Sequence, residues 1–210
     1  MQSGVLLLED ACLPASEQLE RILSQPDMTD IQIKGCKVDG ESFRTICRVV
    51  KDRKVRGLTL ARCNAADDVA EELAAFLTGR GGEGEEEEEK STVLQLGLDG
   101  NEGISDRGAT ALATCLTHNS SLTELSLWGT GLGDAGATAL ASALASNHTL
   151  KQLWLGECDG VTDAGAAAFR ESLATNTSLQ QLGLVCTQVS DTVQNELEEL
   201  VQSQRGHVAP

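Results

Sequence analysis

The chain repeats one leucine pattern at a nearly constant interval, and this repetition restricts the folds open to it. Four consecutive units begin with an apolar residue that is followed three and five residues later by leucine. Their first residues, 28 or 29 positions apart, are Val93, Leu122, Leu150 and Leu179. Each unit continues as a turn and an apolar stripe with helical spacing, which indicates a short strand and then a helix. Such a unit buries its leucines only against a neighbour, so the repetition predicts a solenoid of stacked units.

Two earlier units, which begin at Met28 and Val55, follow the same frame less closely. The interval from Val55 to Val93 is 38 residues, and the surplus contains the segment GRGGEGEEEEEK. We therefore predict an acidic, disordered spacer between two repeats, with a docking segment as the alternative. Both ends of the chain deviate from the repeat as capping units do, so we expect a nearly complete array. We therefore divide the chain into five segments. They are an N-terminal capping block (1–27), repeats (28–78), the acidic Gly/Glu-rich insertion (79–92), further repeats (93–187) and a C-terminal capping helix with a tail (188–210).

Polar residues mark both ends of the predicted helices. We expect an aspartate to cap the N-terminus of its own helix at Asp106, Asp134 and Asp163. We expect an asparagine in the left-handed conformation at the helix ends Asn119, Asn147 and Asn176. These asparagines also open Asn-x-Ser/Thr sequences. Because those sequences recur at the repeat interval, we attribute them to the architecture and not to glycosylation.

A small polar or thiol residue follows the second strand leucine of every repeat by three positions. These residues, which we expect to be buried and hydrogen-bonded, are Cys36, Cys63, Asn101, Thr130, Cys158 and Thr187. The combined pattern resembles the ribonuclease-inhibitor-like leucine-rich repeats, which are related to arrays in innate-immune receptors and Ran GTPase-activating proteins. The resemblance is strong over residues 93–187, fair over 28–77 and absent over 79–90. It implies an α/β solenoid, a horseshoe with a parallel concave sheet and outer helices.

The net charge and the cysteine content indicate which class of partner and which cellular compartment to expect. The formal net charge is −16, with 32 acidic and 16 basic residues, which disfavours nucleic acid and anionic membranes and favours a basic protein partner. The sequence shows no leader and no run of the roughly 20 apolar residues that a membrane helix needs. Seven scattered cysteines without a Cys-x-x-Cys pair indicate reduced thiols, so we predict a cytoplasmic protein.

Motifs that would indicate chemistry are weak. Gly79, Gly81 and Gly84 satisfy the spacing of a nucleotide-binding loop, but a predicted helix precedes them and glutamates follow. The sequence contains no Ser-His-Asp, Cys-His or His-Glu-x-x-His arrangement, and its cysteines are too dispersed along the repeats for a metal site. We therefore predict a non-enzymatic protein without a cofactor or metal.

The two tryptophans, Trp128 and Trp154, give the strongest indication of a binding site. Alternation along a strand places both on the concave face, as diagonal neighbours on adjacent strands. Aromatic anchors inside a polar rim are typical of interfaces. The predicted rim residues are Asp99, Glu124, Ser126 and Gln152. In the alternative interpretation each indole lies flat over a glycine and only shields backbone, the candidates being Gly97, Gly156 and Gly183.

The sequence thus predicts a protein–protein interaction module that binds a partner, expected to be basic, on its concave face. Three alternatives remain open. One is an inhibitor-like protein that clasps a basic enzyme, and another is a structural component of a larger assembly. The third is a GTPase regulator of the Ran-directed type, for which Arg62 is the one arginine that follows a strand. The oligomeric state is left open.

Overall fold

A computed structural model describes residues 4–9, 13, 16–23, 28–79 and 91–205. Within these ranges seven strands alternate with seven helices, and all seven strands form one parallel sheet in chain order. The elements are β1 (Val5–Glu9), α1 (Ser16–Leu23), β2 (Asp30–Lys34), α2 (Gly40–Arg53), β3 (Gly57–Ala61), α3 (Asp67–Leu77), β4 (Gln95–Gly97), α4 (Asp106–His118), β5 (Glu124–Ser126), α5 (Asp134–Leu144), β6 (Gln152–Trp154), α6 (Asp163–Leu173), β7 (Gln181–Gly183) and α7 (Asp191–Arg205). This is the predicted α/β solenoid.

The repeated leucines set the register of the sheet. Leu96 pairs with Leu125, and Leu125 with Leu153, so the same position of each unit stacks on its neighbour. All three side chains are almost completely buried, and burial of one leucine contributes about 2 kcal/mol. Because side chains alternate between the faces of a strand, this register also fixes which residues face away from the helices.

The helices approach one another closely because small residues occupy their first turns. A Cβ atom built at Gly136 of α5 would lie 2.9 Å from both Asp106 Oδ1 and the Cβ of Ala109 on α4. Behind this contact, α5 buries the predicted apolar stripe Ala137, Leu140, Ala141 and Leu144. The core is mainly aliphatic, with Phe43 and Phe169 also buried in it, and it is continuous from repeat to repeat.

The two predicted boundary regions are only partly within the described residues. Strand β1 pairs with β2 in the same parallel register as the repeats, so the N-terminal block continues the sheet. Residues 80–90, which contain the acidic run of the predicted insertion, lie outside the described residues. The strands on either side pair directly through Leu58 and Leu96, so the sheet passes from β3 to β4 without interruption.

The prediction that each aspartate caps the N-terminus of its own helix is wrong. Asp134 is the first residue of α5, and its Oδ1 accepts hydrogen bonds from Thr162 N (2.8 Å) and Gly165 N (3.0 Å) of the next repeat. Asp106 likewise accepts from Gly133 N and Gly136 N, at 2.7 and 2.8 Å. Each aspartate thus joins two helices. These hydrogen bonds, first that from the Thr162 amide, hold the pKa of Asp134 below its usual value.

The predicted left-handed asparagines are also wrong in conformation. Asn119 is extended, with φ −77° and ψ 125°. Neither Asn147 nor Asn176 is among the described residues that have a positive φ. Their side chains are buried instead and bridge repeats. The Asn176 amide donates to Leu144 O (2.6 Å) and Asn147 O (2.8 Å), while its Oδ1 accepts from two following backbone amides, both at 2.9 Å. An asparagine committed in this way supports the architectural interpretation of the Asn-x-Ser/Thr sequences.

Candidate functional site

The sheet face opposite the helices is the concave face of the solenoid, and its side chains form three rows across the strands. The first row is Val5, Asp30, Gly57, Gln95, Glu124, Gln152 and Gln181. The second is Leu7, Gln32, Thr59, Gly97, Ser126, Trp154 and Gly183. The third row lies two residues beyond the second row in the sequence of each repeat. Its members are Glu9, Lys34, Ala61, Asp99, Trp128, Gly156 and Val185. All six residues predicted from the sequence lie in these rows.

Both tryptophans are half-buried, because each indole lies over a glycine of the next repeat. A Cβ atom built at Gly156 would lie 2.6 Å from Cε3 and Cη2 of Trp128, and one built at Gly183 would lie 3.0 Å from Cζ3 of Trp154. A Cβ at Gly97 would instead meet Thr59 and Asp99. The geometry of the alternative interpretation is therefore present at Gly156 and Gly183, and whether the exposed ring surfaces also bind a partner stays a prediction.

Hydrogen bonds hold the predicted rim residues in place. Trp154 Nε1 donates to Glu124 Oε1 at 3.3 Å, and Gln95 Nε2 donates to Glu124 Oε2 at 3.0 Å. The Ser126 hydroxyl donates to Asp99 Oδ1, and Gln152 is the register partner of Glu124. Glu124 therefore bridges three strands, and the surroundings of Trp154 are ordered before any partner arrives.

A groove of about 1000 Å³ lies where the strands end, beside the third row. Trp128 and Asp99 are the predicted site residues that line it. Its charged lining is four carboxylates and two cations, namely Asp99, Glu102, Glu157, Asp159, Lys34 and Arg62. The groove combines an aromatic ring with an excess of negative charge, and only two of its lining residues, Trp128 and Asp99, were predicted from the sequence.

One turn position in every repeat places its residue in the left-handed conformation. Gly35, Gly100 and Gly129 occupy it in three repeats, where glycine carries no steric penalty. Three other repeats place larger residues there, Arg62 (φ 53°), Glu157 (φ 54°) and Cys186 (φ 58°), and all three line the groove. A non-glycine residue in this region costs about 1 kcal/mol. Gly100 and Gly129 line the groove as well, so this turn position contributes to the groove whether or not its backbone is strained. In the sequence the position is visible only as a column of glycines with exceptions.

Buried polar residues beneath the groove support these turns. The Asn101 side chain accepts from Cys63 N and Ala65 N, at 2.9 and 3.0 Å, and donates to Leu60 O and Leu98 O, both at 2.7 Å. The expected burial of this position is confirmed at five of the six residues, and Thr187 is half-buried because it lies in the last repeat. Burial raises the pKa of the Cys158 thiol. This position therefore supplies a rigid floor and no reactive group.

Among the described residues, no His, Cys, Asp and Glu side chains form a group of three placed to hold a metal ion. In the same part of the chain, no helix has the length and apolar character needed to cross a membrane. Of the three glycines that match the spacing of a nucleotide-binding loop, Gly79 is described, while Gly81 and Gly84 lie outside the described residues.

Comparisons with known proteins agree with this architecture. A family model described as Leucine Rich repeat matches residues 90–113, 118–141 and 146–169. A structure titled "Leiomodin-1 Actin-Binding Site 2 (ABS2)" is 18% identical, with a TM-score of 0.53 over 91% of this chain and 89% of that one. The tropomodulin C-terminal domain of Caenorhabditis elegans is 13% identical, with a TM-score of 0.52 over 93% and 96%. No curated protein sequence matches significantly. The chain therefore contains leucine-rich repeats and has the fold of a leucine-rich-repeat solenoid.

Proposed function

We propose that this chain is a non-enzymatic protein-interaction module whose concave face binds a protein partner. The observation that carries the proposal is an apolar strip formed by Trp128, Trp154 and Val185. The other exposed large apolar residues of this face, Val5 and Leu7, lie on β1 at the opposite edge of the sheet. Val185 is 52% exposed, and both tryptophans are partly exposed. An apolar centre with aromatic anchors and a polar rim is the usual composition of a protein interface.

The groove and the rim favour a basic partner segment. Asp99 and Glu157 line the groove with Trp128, and Glu124 is hydrogen-bonded to Trp154. An arginine or lysine side chain entering here would meet an aromatic ring and carboxylates together. Cation–π contacts contribute about 0.5–2 kcal/mol, depending on desolvation. Charge attraction would also accelerate association and make it sensitive to salt.

The remaining sequence predictions stay part of this proposal. Six cysteines lie among the described residues, and all are free thiols, which supports a cytoplasmic location. The resemblance to ribonuclease-inhibitor-like repeats supports the inhibitor-like alternative. Arg62 lines the groove, and it is the residue that a GTPase-regulating role would use. The leiomodin-1 title names an actin-binding site, so actin is one protein to include in binding assays.

A pull-down from cell lysate tests the proposal. The baits are wild type, the Trp128→Ala/Trp154→Ala double variant, and Val185→Asp, which changes the strip without removing either indole. Glu171→Gln on the exposed surface of α6 is the matched control. We expect a basic protein to be retained by wild type and control, lost from both strip variants, and weakened by salt.

Circular dichroism of every bait establishes that it is folded before the comparison. If folded strip variants retained the same proteins as wild type, the assignment of the concave face would be wrong. Stimulated GTP hydrolysis that is lost in Arg62→Ala would instead favour the GTPase-regulating alternative.

A further inference from the structure

The C-terminal end of α2 carries an exposed basic cluster on an otherwise acidic protein. We define the basic cluster as Lys51, Arg53, Lys54 and Arg56, all of which are exposed. Asp52 is the one acidic residue among them, while the whole chain has a formal net charge of −16. The sign of this surface is therefore opposite to that of the molecule.

The helix dipole accounts for only part of this cluster. Cations are favourable in the last turn of a helix, and α2 has Lys51 and Arg53 there. Two members, Lys54 and Arg56, lie beyond the last residue of α2. Lys54 also holds the left-handed C-cap, with φ 55°, where glycine would avoid strain. A positively charged residue thus occupies a position whose backbone favours glycine.

The chain that follows the acidic run re-enters the fold beside the basic cluster. Thr92 Oγ1 donates to Val55 O at 3.0 Å. Two backbone amides then donate to Arg56 O, from Leu94 at 2.7 Å and from Gln95 at 3.0 Å. Glu89 is three residues before Thr92, which permits a separation of at most about 11 Å along the backbone. The chain between Thr92 and Glu89 is therefore short enough for the last glutamates of the run to reach the cluster.

We propose that the basic cluster is the docking surface for the acidic run of the same chain, Glu83 and Glu85 to Glu89. Six carboxylates complement a cluster of four cations and one aspartate, so the pairing would neutralise the net charge of the cluster and about half of the charge of the run. A short tether gives such a contact an effective concentration in the millimolar range. An external polyanion must compete with the run for this surface. The proposal is independent of the concave face, because no cluster residue lines the groove or belongs to its three rows.

A glutamate-specific protease measures whether the run is held. The test variant is Arg53→Gln/Lys54→Gln/Arg56→Gln, which leaves Lys51 unchanged. The matched control, Lys34→Gln/Lys37→Gln/Lys151→Gln, removes the same charge outside the cluster. We expect cleavage between Glu83 and Glu89 to be about threefold faster in the test variant than in wild type or control, as a few exposed ion pairs would allow. The difference should disappear at an ionic strength of about 0.5 M.

Equal cleavage of folded test and control variants at low salt would overturn the proposal. A second variant, with the six glutamates changed to glutamine, covers the case in which the test variant does not fold. Its backbone amide NMR shifts should differ from those of wild type at residues 51–56, and unchanged shifts there would contradict the contact.

Zero-length carbodiimide coupling identifies the occupant directly. A mixture of isotope-labelled and unlabelled wild-type chains should yield cross-links from Lys51 or Lys54 to the run within single chains. Cross-links found only between labelled and unlabelled chains would overturn the proposal and make a second copy the occupant.

Discussion

The indole of Trp128 covers the backbone of Gly156 on the next repeat, and this contact ties the candidate binding face to the stacking of the solenoid. Trp154 covers Gly183 in the same way. Each tryptophan therefore has one ring surface committed to the neighbouring repeat, while the residue as a whole stays partly exposed. A mutation at either glycine should change the presentation of the ring without touching the tryptophan itself.

Gly156→Ala should displace Trp128 from the sheet. The new methyl group would lie about 2.6 Å from two ring carbons, and the partly exposed ring can move outwards to relieve the overlap. We expect a red shift of tryptophan emission and a loss of about 1 kcal/mol in the free energy of unfolding. Chemical denaturation followed by fluorescence measures both.

Gly40→Ala is the matched control, because a Cβ there meets no atom closer than 3.9 Å. The control should leave the emission unchanged. An unshifted emission in Gly156→Ala as well would mean that the indole does not lie on this glycine in solution.

Asn176→Ala should destabilise the solenoid strongly. The side chain is fully buried and makes four hydrogen bonds to backbone groups. Its removal leaves several of those groups unpaired, so we expect a loss of about 2–4 kcal/mol in the free energy of unfolding. Thermal or urea denaturation measures the change.

The neighbouring Thr177→Ala is the control, since Thr177 is exposed in the same Asn-x-Ser/Thr sequence. It should change stability by less than about 0.5 kcal/mol. Similar losses in the two variants would contradict a bridging role for the asparagine.

Asp134 should stabilise the protein in a pH-dependent manner. Its pKa is lowered in the folded state, chiefly by the hydrogen bond from the Thr162 amide. A lowered pKa means that the contribution is complete above the unfolded value of about 3.9 and is lost as the pH falls through the folded value. Wild type should therefore exceed Asp134→Asn in stability at pH 7, and the gap should narrow below about pH 4.

Urea denaturation of both proteins between pH 7 and pH 3 gives the gap directly. Glu171→Gln, an exposed change of equal charge, reports the background effect. A gap that stayed constant over this range would show that the carboxylate charge of Asp134 is not used in folding.

Glu157→Gly should be more stable than Glu157→Ala, because only glycine relieves the left-handed conformation at this position. We expect the free energy of unfolding to be about 1 kcal/mol higher for the glycine variant than for the alanine variant. Both variants lose the carboxylate, so the comparison isolates the backbone. An alanine variant of equal or higher stability would mean that residue 157 is not held at positive φ.

The leucine register and the parallel sheet could be predicted because they depend on local alternation. Leu96, Leu125 and Leu153 occupy one position of a short pattern, and stacking is the one way for each unit to bury it. The tryptophan–glycine contacts were partly visible too, since Gly156 follows Trp128 by 28 residues and Gly183 follows Trp154 by 29. Neither spacing shows how each ring is turned.

The roles of the aspartates and asparagines could not be predicted from local rules. Capping statistics assign Asp134 to its own helix, whereas its Oδ1 accepts hydrogen bonds from backbone amides 28 and 31 residues later in the chain. The amide of Asn176 donates to a carbonyl 32 residues earlier. Such bonds depend on the offset between neighbouring repeats. The left-handed conformations of Arg62 and Glu157 were hidden for a related reason, since residue type alone favours another conformation there.

The most direct test of the concave face is hydroxyl-radical footprinting of the chain bound to a captured protein partner. Oxidation of each residue is quantified by mass spectrometry in the free and the bound chain. The account predicts that binding protects Trp128, Trp154 and Val185, while exposed residues on α4 to α6 react unchanged. Protection confined to the helices, with both tryptophans as reactive as in the free chain, would contradict it.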